Sequence, residues 1–117
     1  MTRLKVNRLK THSGGEIEIR KGEEGRSACP VCGVVLEGEP AWYLSWPIDK
    51  DGKQIGDAFA VGSHNICPCC NTHYGYDDTE EGRETAFLWV ELRAKWLERI
   101  PHTPELAQQL KNIGIEL

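Results

Sequence analysis

At 117 residues, with 27% charged side chains and a formal net charge of −4, the chain is sized for one domain and is too short for a cofactor domain beside a substrate domain. Its longest apolar run is Ala86 to Val90, far short of a membrane span. Basic Met1 to Lys10 has no apolar core after it, which argues against a secretory signal.

Residues 1–28 carry seven Lys or Arg against four Glu, whereas the rest of the chain is acidic. Leu4 and Val6 alternate with polar residues, as do Ile17 and Ile19, and Gly14-Gly15 lies between the two runs. That pattern predicts a hairpin. The competing reading is a basic arm, since Gly22 to Ser27 is a polar linker. Residues 1–27 are therefore set apart from a second region, 28–117.

Ala28-Cys29-Pro30-Val31-Cys32-Gly33 reads as a turn with chemistry. Trp42, Leu44, Trp46 and Ile48 then fall on alternate residues, the period of a strand with one buried face. Asp51-Gly52 suits a tight hairpin turn, and Ile55, Phe59 and Val61 lie on the returning side. A β-hairpin over 41–48 and 54–61 follows. Ile66-Cys67-Pro68-Cys69-Cys70-Asn71 makes a second turn. A long helix is predicted from Thr79 to Ile100, capped by Asp78 or Thr79, with Asp78 and Glu81 as a capping box. The acidic residues Asp77, Asp78, Glu80, Glu81 and Glu84 would sit at the positive end of its dipole. Pro101 ends it. Thr103 as N-cap, Pro104 at the first helical position and Gly114 as a stop define a short last helix that buries Leu106, Leu110 and Ile113.

On a helical wheel Leu92, Trp96, Trp89, Ile100, Ala86, Leu97, Val90, Ala94 and Phe87 form an unusually wide apolar arc, with Leu88 an outlier on the polar side. Either the hairpin and the last helix cover this arc, or part of it meets a second chain. Arg93 lies in its middle. A guanidinium there needs partners, and the Asp77-Asp78 linker is the nearest supply of carboxylates.

Five Cys in two tight clusters, without a secretory signal, point to the cytoplasm and to a metal rather than disulfides. Cys29-x-x-Cys32 is followed, after 34 intervening residues, by Cys67-x-x-Cys70. Four soft thiolates in two pairs make a closed tetrahedral site suited to Zn2+. Pro30 and Pro68 restrict φ early in each turn, and Gly33 and Asn71 are types that tolerate positive φ. Redox chemistry at Cys29 and Cys32 is the main alternative, but the lone motif lacks the βαβ context expected for it. Iron could take the same ligands. Cys69 should point away from the metal, and His64 and His73 are better read as surface or hydrogen-bonded side chains than as ligands. Four Cys leave no open coordination position, so no enzyme is expected.

Ile66-Cys67-Pro68-Cys69-Cys70, Tyr74-Gly75-Tyr76-Asp77-Asp78 and Arg93-Ala94-Lys95-Trp96 resemble the small bacterial cysteine-rich CPCC-type proteins. The resemblance covers about residues 28–100. The chain departs from it at Asn71, where that family usually has Gly, and in its long N-terminal segment. The resemblance implies a zinc-ribbon-like domain; with the hairpin and helices read above, the expected fold is α+β, a zinc-ribbon-like β-hairpin domain with two Cys knuckles followed by a long and a short C-terminal helix. Most such proteins have no assigned activity. Some sit among bacterial toxin-immunity genes, which implies toxin neutralisation as a role.

Three function classes remain at this level. One is a zinc-stabilised protein-interaction module, which the resemblance extends to an immunity-type protein, with an unidentified protein partner and no membrane. The second is a nucleic-acid-binding zinc ribbon using Arg3, Lys5, Arg8 and Lys10, which the acidic body disfavours. The third is a thiol- or metal-handling protein.

Overall fold

The computed structural model describes residues 5–11, 15–21 and 26–117. The fold is α+β, with strands β1 (Lys5–Lys10), β2 (Glu16–Lys21), β3 (Trp42–Ser45) and β4 (Phe59–Gly62), then helices α1 (Thr85–Leu97) and α2 (Pro104–Lys111). β1 pairs with β2 and β3 with β4, both antiparallel, as two separate two-stranded sheets. No helix among the described residues is long and apolar enough to cross a membrane.

The N-terminal pair is a hairpin, as the alternating runs predict. Its buried face carries Leu9, Ile17 and Ile19, with Leu9 directly opposite Ile17. Val6, expected inside, is exposed, because it stands on the other face of the pleat from Leu9. Leu4 and Gly14 lie outside the described residues. Leu9, Ile17 and Ile19 join the same hydrophobic cluster as the cysteines. Ala28 N donates to the Arg20 carbonyl at 2.8 Å, which ties the start of the first cysteine turn to β2.

The second hairpin is shorter than predicted. Regular pairing stops at Ser45 opposite Phe59, and only an isolated bridge joins Ile48 to Gln54. Pro47 stands in the gap and has no N–H to give to a ladder. The turn is where the Asp-Gly signal puts it: Gly52 has φ +82°, and the Asp49 carboxylate accepts from the amides of Asp51 (2.8 Å) and Lys53 (3.0 Å). The expected single buried face is not found. Trp42 is buried, but Leu44, Trp46 and Ile48 are exposed, because the outer part of the hairpin extends beyond the core.

Helix α1 starts at Thr85, not Thr79. Glu84 flanks it with extended backbone and no side-chain cap. Residues 80–83 form a turn instead, closed by Arg83 N to Glu80 O at 3.1 Å, with Gly82 at φ +79°. The predicted caps are absent because Asp78 is fully buried with its carboxylate already bonded, and no acidic residue occupies the first turn. The buried side of α1 is Thr85, Leu88, Trp89 and Trp96. Leu88 is thus core, while Phe87 and Val90 are each 54% exposed; the apolar arc is narrower than the wheel implies and rotated from it. Leu88, Trp89, Leu92 and Trp96 follow the three- and four-residue spacing of one helix face.

Helix α2 matches its signals. Thr103 Oγ1 accepts from Leu106 N at 3.1 Å, Pro104 opens the helix, and Gly114 has φ +74°. Leu106 and Leu110 are buried, and Ile113 packs against the core. This helix lies on the first cysteine turn. Gln109 Nε2 donates to Cys32 O at 2.9 Å, and Asn112 Nδ2 to Gly33 O at 3.0 Å.

Candidate metal centre

The two cysteine turns are copies of one backbone device. Cys29 N donates to Val34 O at 2.8 Å, and Cys67 N to Thr72 O at 2.9 Å. Gly33 N returns to Cys29 O at 2.8 Å, and Asn71 N to Cys67 O at 3.0 Å. The positive φ that each turn needs falls on Gly33 (+85°) and Asn71 (+62°). Flanking bridges join Ala28 to Val35 and Ile66 to His73. Each loop therefore presents two sulfurs to one side, and the core brings those sides together.

All four sulfurs of Cys29, Cys32, Cys67 and Cys70 lie within 4.8 Å of one another, and all four residues are buried. Cys32 and Cys67 are 3.6 Å apart, Cys29 and Cys70 3.9 Å. A tetrahedron with metal–sulfur bonds of about 2.3 Å has edges of about 3.8 Å, so this spacing fits a four-thiolate metal site. The cluster could hold a metal ion; the sulfur set favours a soft or borderline one.

Electrostatics fit the same reading. Without an ion the sulfurs share protons. Hydrogen bonds with Cys29 and then Cys67 hold the Cys32 thiol up, and burial adds to this. Cys67 is pulled down by bonds from Cys29 and Cys32. Cys70 is also lowered, by Cys29 and then Cys32, and the Thr72 hydroxyl lies 3.2 Å from its sulfur. Four thiolates in one buried space require a cation. The Cys69 amide points at the Cys67 sulfur at 3.4 Å. The buried Tyr74 hydroxyl has no hydrogen-bond partner of good geometry among the described residues, although it lies beside the Cys29 and Cys67 sulfurs. Burial first, then the nearby Cys29 sulfur, hold its proton in place, so it stays a donor. A metal-bound thiolate would give that donor an acceptor.

The other candidates separate from the cluster. Cys69 is exposed, and its sulfur accepts from Gln109 Nε2 at 3.5 Å. The His73 ring lies against Tyr76 and His64, with centroids 5.3 and 5.8 Å away. Of the expected basic face, Arg8 is engaged by Glu18 at 3.3 Å and Glu16 at 3.7 Å. The Arg3 and Lys5 side chains lie outside the described residues.

Arg93 is partnered as a buried guanidinium must be, but not by the linker. Nε donates to Val31 O and Nη2 to Pro30 O, both at 2.8 Å. The helix is thus tied to the first knuckle rather than to Asp77 or Asp78. Burial pulls its pKa below the ordinary arginine value. Asp78 instead accepts from Trp42 Nε1 and Trp89 Nε1 through Oδ2, and from Gly75 N through Oδ1, all at 2.7 Å. Sequence reasoning overlooked this node. The signal was there: two tryptophans placed in a core each need an acceptor for the indole N–H. Gln109 and Asn112 were also missed, though both are polar residues beside the apolar face of α2.

No family model, curated protein or solved structure matches the chain.

Proposed function

We propose that Cys29, Cys32, Cys67 and Cys70 bind one Zn2+ and that the chain is a zinc-stabilised protein-interaction module without catalytic activity. The observation that carries the metal assignment is the convergence of two matched knuckles on one buried set of four sulfurs. Four protein ligands close the coordination sphere, so the ion's contribution is structural: it joins the first knuckle, held by α2 and Arg93, to the second, which leads to the Asp78 node. A closed site leaves surface recognition as the function. The resemblance to CPCC-type proteins extends this to an immunity-type role, neutralising a bacterial toxin in the cytoplasm. Metal analysis of the protein from its native host, coupled to a pull-down from the same cells, tests both halves. One zinc per chain and a stoichiometric protein partner are the expected results. A metal-free folded protein refutes the first half, and capture of nucleic acid alone refutes the second.

A further inference from the structure

A groove of about 350 Å³ runs between the outer face of β2 and one side of α1. Glu16, Glu18 and Arg20 line it from the strand, and Ala86, Trp89 and Arg93 from the helix. These are alternate residues on a strand and residues three and four apart on a helix, so each set forms one row. The rows run side by side. Glu84, just before α1, abuts Gly15 at one end, while Arg20 and Arg93 meet the first knuckle at the other, through Ala28 and through Pro30 and Val31. From Glu16 to Arg20 a strand spans about 13 Å, and from Ala86 to Arg93 a helix rises about 10 Å. Pro30 and Ile113 close the arginine end with apolar surface.

The groove lining balances Arg20 and Arg93 against Glu16 and Glu18, in a chain whose formal net charge is −4. Glu16 and Glu18 are drawn to Arg8 across the strand pair, at 3.7 and 3.3 Å. Among the described residues Arg20 has one carboxylate contact, a long one to Glu18 at 3.9 Å. Its guanidinium is braced from behind, 2.9 Å from where a β-carbon on Gly114 would stand. Arg93 spends Nε and Nη2 on knuckle carbonyls and has no carboxylate partner among the described residues. Arg93, held by backbone carbonyls, and Arg20, with a single long carboxylate contact, put two guanidinium groups on one groove with donors left to receive an anion.

We propose that this groove binds an extended acidic-apolar segment of a protein partner, with one Asp or Glu carboxylate between Arg20 and Arg93 and an apolar neighbour against Ala86, Trp89 and Ile113. The length accommodates about three or four extended residues. The inference rests on the interaction-module reading and names the chemistry of its partner.

The test is titration of metal-loaded protein with the blocked peptide acetyl-Ala-Leu-Asp-Leu-Ala-amide, followed by NMR at the Arg Nε–H and Trp Nε1–H signals. Saturable shifts at Arg20, Arg93 and Trp89 are expected, with the Asp→Asn peptide binding at least about tenfold more weakly. Arg20→Met should weaken binding by a similar factor, and Arg20→Lys, which keeps the charge without the fork, should fall between. Unchanged Trp42 signals and metal content confirm that the variants are folded. Absence of saturation into the millimolar range, equal binding of the Asn peptide, or indifference to Arg20→Met overturns the proposal. So does binding of hexanoate without binding of the peptide, which would mark a small-molecule site. These failures leave metal content untouched and are therefore distinct from failure of the zinc assignment.

Discussion

Trp42 and Trp89 donate their indole N–H groups to one oxygen of the Asp78 carboxylate, each at 2.7 Å. Their rings meet edge to face, with centroids 6.4 Å apart. One buried charge thus joins β3, the linker after the second knuckle and α1. The other oxygen holds the Gly75 amide, which sits against Gly62 of β4. The linker carboxylate expected to cap the long helix or neutralise Arg93 has instead become the junction of the tryptophan core.

Asp78→Ala should be strongly destabilising. Hydrogen bonds to a charged acceptor contribute about 1.5–3 kcal/mol each, and the substitution strands two indole donors, so a loss of about 3 kcal/mol or more is expected. Denaturant unfolding measures it. The Trp42 and Trp89 Nε1–H resonances should both move, whereas that of exposed Trp46 should not.

Metal uptake should release protons. The thiols of Cys29 and Cys32 are held above the ordinary cysteine value, while Cys67 and Cys70 lie below it. The ligands enter the coordination sphere as thiolates, so those sulfurs that still carry protons must give them up when zinc binds. Affinity should fall as pH drops, because protons compete for the thiolates. An indicator-dye titration in weak buffer reads the release.

Each of Cys29→Ser, Cys32→Ser, Cys67→Ser and Cys70→Ser should cut stability sharply, as should a strong chelator, since structural zinc can contribute about 10–16 kcal/mol to folding in small zinc-finger peptides. Cys69→Ser should leave both metal content and unfolding midpoint close to the parent. Retention of full stability after complete zinc removal would contradict the assignment.

Arg93→Met should lower stability by about 3 kcal/mol, because it removes two bonds from a charged donor. Arg93→Lys should not restore it, since an ammonium cannot reproduce the two-nitrogen fork on Pro30 and Val31. Chemical denaturation of the three proteins in metal-saturated buffer checks the order.

The two knuckles should differ in their tolerance of change after the second cysteine. Gly33→Ala combines a φ of +85° with a β-carbon driven into the Gln109 carbonyl, so it should cost more than the roughly 1–2 kcal/mol of a left-handed residue alone. Asn71→Gly keeps the conformation at φ +62° and should be close to neutral. Thermal unfolding midpoints separate the two.

The local devices were legible in the sequence because each is written in neighbouring residues. Cys-x-x-Cys followed by a residue tolerant of positive φ specifies the knuckle backbone. Thr103-Pro104 and Gly114 specify both ends of α2, and Asp51-Gly52 specifies a turn. The alternation of Ile17 and Ile19 specifies the buried face of β2. Sequence also identified the four sulfurs that converge, since the spacing is itself a statement about one ion.

What tertiary structure decided was which partner each long or polar side chain finds. Arg93 had carboxylates near it in sequence, but the packing of α1 places it against carbonyls 62 and 63 residues away. Asp78 was equally available to cap a helix, and two tryptophans took it. The apolar stripe of α1 was visible, yet the side actually covered depends on where β2 and the core lie; Leu88 went inside, and Phe87 and Val90 stayed out. Periodicity reports that a residue can be buried. Whether it is buried depends on a second surface arriving there, and that surface comes from elsewhere in the chain.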